Sequence, residues 1–156
     1  MATTSETGHD IEVESGTENW IVGGIAGLIA GAVFGGIMSQ TPMMESVAAL
    51  ITLQAVAAGW LFHFVISFIF GAIFAAIATI GSFPEYANRT SSGAGLGIAY
   101  GIIVWVVGAA IVMPLWMGAV TGASPPVPNL NWLSFAGHIA YGAVLGAFYP
   151  ILLAYN

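Results

Sequence analysis

Polar residues are crowded into the first nineteen positions and three short interruptions, and the stretches between them are almost continuously apolar. Four of these stretches reach the roughly 20 residues a helix needs to cross a bilayer. Helices are predicted at about 20–38, 55–80, 93–117 and 132–154. The segment 39–42 breaks the first from the second, 81–92 the second from the third, and 118–131 the third from the fourth. Pro125, Pro126 and Pro128 make that last connection extended and stiff. An amphipathic stretch at about 45–54 is expected to lie in the interface before the second span. Pro114 is expected to kink or loosen the end of the third span, because it removes a backbone donor. The predicted fold is all-α, a bundle of four transmembrane helices.

Inside the spans, small residues recur at every fourth position. The first carries Gly23, Gly27, Gly31 and Gly35, a face that lets another backbone come close. In the second, Gly59, His63, Ser67, Gly71 and Ala75 share one face, with Trp, Leu, Phe, Val and Ile between them. The third has Gly93, Gly97 and Gly101, and the fourth has Ser134, His138, Gly142, Gly146 and Pro150. The second and fourth spans are expected to form the centre of the molecule and to approach each other through these small faces.

The fourth span repeats the second at a shift of 75 residues, which aligns His63 with His138, Gly71 with Gly146 and Met38 with Met113. No gap is needed, so a duplicated hairpin is expected, with two parallel halves related by a pseudo-twofold axis along the membrane normal. Each histidine then sits roughly 12 Å inside its helix at about 1.5 Å per residue. Met38 and Met113 close the other two spans at the same end, with Met43, Met44 and Met117 nearby. A pocket of two histidines and up to five methionines is the candidate site.

Composition narrows the functional classes. The 156 residues include one Arg, no Lys, seven acids and no Cys, for a net charge of −6. Five acids (Glu6, Asp10, Glu12, Glu14 and Glu18) make residues 1–19 an acidic tail, expected to be disordered and cytoplasmic. Nucleic-acid binding has no electrostatic basis, and thiolate metal sites are excluded. Arg89 alone orients the chain, placing the middle loop and both termini in the cytoplasm of a cell-membrane protein. No Gly-x-Ser-x-Gly, His-Glu-x-x-His or buried carboxylate pair is present, so the chain is not read as an enzyme.

An ionisable side chain inside a span is a functional hypothesis, because an unpaired one is expensive in hydrocarbon. His63 and His138 are candidate ligands of haem b, which four-helix bundles hold between facing imidazoles. Thioethers from Met38, Met43, Met113 and Met117 beside imidazole would instead favour Cu(I). The pair could also handle protons, or each histidine could simply hydrogen-bond across a close helix contact. Methionines at helix ends commonly serve as adaptable filler. The glycines, together with Gly59, Ser67, Gly71, Gly97, Gly101, Gly142 and Gly146, are helix-packing positions.

The acidic tail and Gly-ladder helix, Gly59-Trp60-Leu61-Phe62-His63, Phe70-Gly71, Met113-Pro114-Leu115, Gly137-His138 and Tyr141-Gly142 together resemble a known pattern. It is that of small four-span membrane proteins of halophilic archaea, a family of unknown function. The resemblance covers about 20–154 and implies a fold and a host, with no activity. The expected function is that of an accessory or small subunit of a membrane complex. Its Gly-rich faces would mediate assembly with other membrane subunits or as a homo-oligomer in the lipid bilayer. A haem- or copper-handling redox protein and a small oligomeric transporter are the alternatives.

Overall fold

The computed structural model describes residues 7–155 of the backbone, and side chains from residue 19 onward. The chain is all-helical over these residues. The helices are α1 (Thr7–Met38), α2 (Met43–Ala49), α3 (Val56–Ala78), α4 (Phe83–Ala87) and α5 (Thr90–Val104). A π segment (Trp105–Val112) joins α5 to α6 (Met113–Thr121), and α7 (Trp132–Leu153) ends the fold. Four stretches are long and apolar enough to cross a membrane: Asn19–Met38, Val56–Ala78, Thr90–Thr121 and Trp132–Leu153. This is the helical bundle of a multi-pass membrane protein. α1 begins at Thr7, so the backbone of the acidic segment from that residue on continues the first span.

Lipid tails are as apolar as leucine, so association of spans relies on close packing and hydrogen bonds rather than on hydrophobic burial. The glycine ladders supply the close packing, but with partners other than those expected. Gly23 and Gly27 of α1 lie against Gly71 and Ser67 of α3, and Gly31 lies against Ser67 and His63. On the other side, Gly93, Gly97 and Gly101 of α5 meet Gly146, Gly142 and His138 of α7. Each small face of a histidine-bearing span is therefore spent on the span before it in sequence. The approach of α3 to α7 through those faces, expected from the sequence, is not what forms.

α1 is the most buried of the four spans. Beside its glycine ladder runs a second row at fourfold spacing, Val22, Ala26, Ala30, Phe34 and Met38, all buried. The ladder faces α3 and the second row serves α7, where Phe34 covers Gly137. The spans are thus arranged in the order α3, α1, α7, α5. The two outermost, α3 and α5, close on each other only at the end that carries α4. There the Tyr100 hydroxyl donates to the Phe70 carbonyl at 2.8 Å, and Phe74 meets the rings of Tyr100 and Tyr149 at 5.4 and 5.7 Å.

Proline shapes the third and fourth spans. Pro114 has no N–H for the carbonyl of Ala110, one turn earlier. The backbone widens just before it into the π segment, where Met113 N–H donates to Gly108 O. The freed Ala110 carbonyl accepts from the backbone N–H of Asn129 at 2.8 Å, which ties the proline-rich connection to the third span. Pro150 likewise frees the Gly146 carbonyl, which lies against the Gly93 backbone, where only a glycine fits.

Two short helices cap the bundle. α2 buries Met44, Val47 and Ala48 at helical spacing while Glu45 and Ser46 stay exposed, and the Met44 carbonyl sits against Gly59. α4 forms inside the connection expected to be a plain loop. Pro84 stands in its first turn, where a missing N–H costs nothing.

Candidate functional site

Because α3 and the third span separate toward the α2 end, a cavity of about 620 Å³ opens between them. Its walls are Phe62, Val65, Ile66, Ile69 and Phe70 of α3 on one side, and Val104, Gly108, Ala109 and Val112 on the other. α2 and α6 roof it, and Phe34, His63 and His138 form its floor. The π segment is part of this design, since the widened turn holds Gly108 and Ala109 at the wall. Gly108 has space around it: a Cβ there would meet only Val104, at 3.9 Å. Val65, Ile69, Val112 and Trp116 line the cavity and are still 46–49% exposed, so it opens sideways between the spans.

His63 and His138 reach this one cavity from different helices. His63, buried, donates from Nε2 to the Gly31 carbonyl of α1 at 2.9 Å. His138 donates from Nδ1 to the carbonyl of Ser134, one turn back in α7, at 2.7 Å. Both partners are carbonyls, which only accept, so each of these nitrogens carries the proton. The Phe34 ring packs edge-on against both imidazoles, with centroids 5.6 Å from His63 and 4.7 Å from His138. A porphyrin bridging the two histidines would have to displace Phe34 from both.

The methionines divide. Met38, Met43, Met113 and Met117 all line the cavity with the histidines, whereas Met44 is buried in the core under α3. No carboxylate lines the cavity, and no group of three or more His, Cys, Asp or Glu converges among the described residues. The packing positions Gly23, Gly27, Gly31, Gly59, Gly71, Gly97, Gly101, Gly142 and Gly146 are all filled by the chain itself, and Gly35 lies under Trp60 and Met44. Assembly with other subunits through these faces, as expected from the sequence, would find them occupied. His9 is a side chain outside the described residues.

Several lining residues are not among the candidates the sequence offered. Phe34 belongs to the row 22–26–30–34–38, which is visible once the glycine ladder is set beside it. Asn131 caps α7, its Oδ1 accepting from the Ser134 N–H at 2.9 Å, and an Asn just before a long apolar run is a readable start signal. Asn129 and Gly108 come to the cavity through the proline-freed carbonyl and the π segment, which no periodicity reveals. No family model, curated protein or solved structure matches this chain.

Proposed function

We propose that this chain is a membrane-embedded binding protein that admits a lipid-soluble molecule from the bilayer into the cavity between its second and third spans. It acts by binding rather than by catalysis. The observation that carries this reading is the cavity itself. It has the size of small-molecule sites (about 300–1,000 Å³), an apolar wall and a few convergent polar groups. Its half-exposed rim of Val65, Ile69, Val112 and Trp116 gives hydrocarbon-soluble molecules a sideways entrance. Arg89, the single cation, supports an orientation with α4 and both termini in the cytoplasm and the roof of the cavity facing outward. The matched register of His63 and His138 supports descent of the two hairpins from one duplicated unit. The acidic, Lys-free sequence supports the resemblance to the haloarchaeal four-span proteins.

Gly108→Leu tests the reading, because the new side chain enters the cavity without striking the backbone. Organic extraction of the purified protein, followed by mass spectrometry, is expected to yield one apolar species at near-stoichiometric amount from the wild type and little from Gly108→Leu. Indistinguishable extracts, containing bulk lipid alone, would overturn it.

An accessory-subunit role is a second reading. It is favoured by Gly36 and Gly95, which face outward with nothing within 4 Å and leave room for a foreign helix. Co-purification of a stoichiometric partner that is lost in Gly36→Leu or Gly95→Leu would establish it.

A further inference from the structure

The hydrogen bonds that hold the two imidazoles also dictate what they offer. With Nε2–H of His63 committed to Gly31 and Nδ1–H of His138 committed to Ser134, the remaining nitrogens of the neutral rings are bare lone pairs. These are Nδ1 of His63 and Nε2 of His138. An imidazolium at either place would have no carboxylate at the cavity to pair with, which is costly within a span. Both rings also border a smaller void of about 60 Å³ beneath the main cavity, where Phe34, Ile66, Ser67, Phe70, Val104 and Tyr141 complete the lining. The Tyr141 proton is already given to the Ser67 carbonyl at 2.8 Å, so that hydroxyl adds another acceptor. The two free imidazole nitrogens at the floor of this hydrocarbon-walled cavity are therefore lone pairs that call for a donor, beside the Ser67 and Ser134 hydroxyls, which can give or accept.

We infer that the ligand is a lipid-soluble alcohol or phenol whose hydroxyl donates to Nε2 of His138 while its apolar body lies along α3 and the π segment. This rests on the binding role proposed above and names the ligand class. A ketone, quinone or ether of the same shape would set lone pair against lone pair and leave the imidazole unsatisfied, whereas a hydroxyl satisfies it. Water is the competitor, since a void of this size takes about two molecules at ≈30 Å³ each. A hydroxylated ligand replaces that donor, and an ether cannot.

The test uses two matched pairs, 4-octylphenol against 4-octylanisole and 1-dodecanol against its methyl ether, titrated into the purified protein in nanodiscs by calorimetry. Each hydroxyl compound is expected to bind about tenfold tighter than its ether. In His138→Leu the hydroxyl compound should fall to the affinity of its ether. His138→Gln, which keeps an acceptor, should retain part of the preference. The better-bound pair distinguishes a phenolic from an aliphatic source. Equal binding of both members of each pair to the wild type, abolished by Gly108→Leu, would overturn the hydroxyl assignment and leave the binding role standing. Absence of binding by all four compounds, together with extracts containing only bulk lipid, would overturn both. The wild-type comparison decides the matter even if the His138 variants fail to fold.

Discussion

The hydroxyl of Tyr141 on α7 donates to the main-chain carbonyl of Ser67 on α3 at 2.8 Å, joining two spans that otherwise scarcely touch. Tyr100 does the same from α5 to the Phe70 carbonyl. These two bonds hold the α4-end half of the bundle together, and beyond them the spans separate and the cavity begins. Tyr141→Phe and Tyr100→Phe should each destabilise the protein by about 0.6 kcal/mol and at most about 1.7 kcal/mol, the range for interhelical hydrogen bonds in membranes. Thermal unfolding in detergent measures this. A double variant no less stable than wild type would show that the bonds contribute nothing.

The glycine contacts predict a sharper contrast. A Cβ on Gly97 or Gly142 would strike the backbone of the facing helix, which cannot step aside. Gly97→Leu and Gly142→Leu should therefore prevent a stable monodisperse fold, as should Gly71→Leu and Gly146→Leu. Gly95→Ala lies in open space on the same helix as Gly97, and should be neutral or stabilising by up to about 1 kcal/mol through helix propensity. Phe68→Leu, which alters a side chain over Gly24, should be far milder than any ladder substitution. Size-exclusion profiles and melting temperatures of the set would reveal any failure of this ranking.

Pro114 and Asn129 are coupled through Ala110. Restoring an N–H with Pro114→Ala gives the Ala110 carbonyl a helical donor that competes with Asn129. The π segment should relax toward α-helix and the proline-rich connection should loosen from the third span. Hydrogen exchange should accelerate by about tenfold at Asn129, whose N–H makes that bond, with α1 and α3 unaffected. Unchanged protection at Asn129 would mean that its bond to Ala110 is independent of the proline.

The chain has no cysteine, so single cysteines can report topology directly. Gln54→Cys, beyond the α2 end, should react with an impermeant maleimide on intact cells, and Glu85→Cys in α4 only after permeabilisation. The opposite pattern would invert the orientation drawn from Arg89.

Much of this architecture is written in local pattern. The second span expected at 55–80 is the helix Val56–Ala78, and the fourth expected at 132–154 is Trp132–Leu153, because apolar runs bounded by Pro, Gly and Asn have few alternatives in a bilayer. The face of Gly59, His63, Ser67, Gly71 and Ala75 is buried along its whole length, since side chains four apart must share a side. His63, His138, Met38, Met43, Met113 and Met117 all line the one cavity. The third span runs longer than expected, to Thr121, because a proline within a helix can widen the turn before it instead of ending it.

By itself, the sequence determined how many helices are long and apolar enough to cross a membrane, and which of their faces are small. These properties depend on residues within one turn of each other and on the length of an apolar run. Which small face meets which was decided only by the tertiary structure, because a glycine ladder accepts any helix that can come close. Four such faces allow several pairings. The glycine ladder and the second buried row on α1 take up α3 and α7 on its two sides, which leaves α3 and the third span apart except at the α4 end. The cavity is what remains of that gap, and no single helix contains the information that it exists.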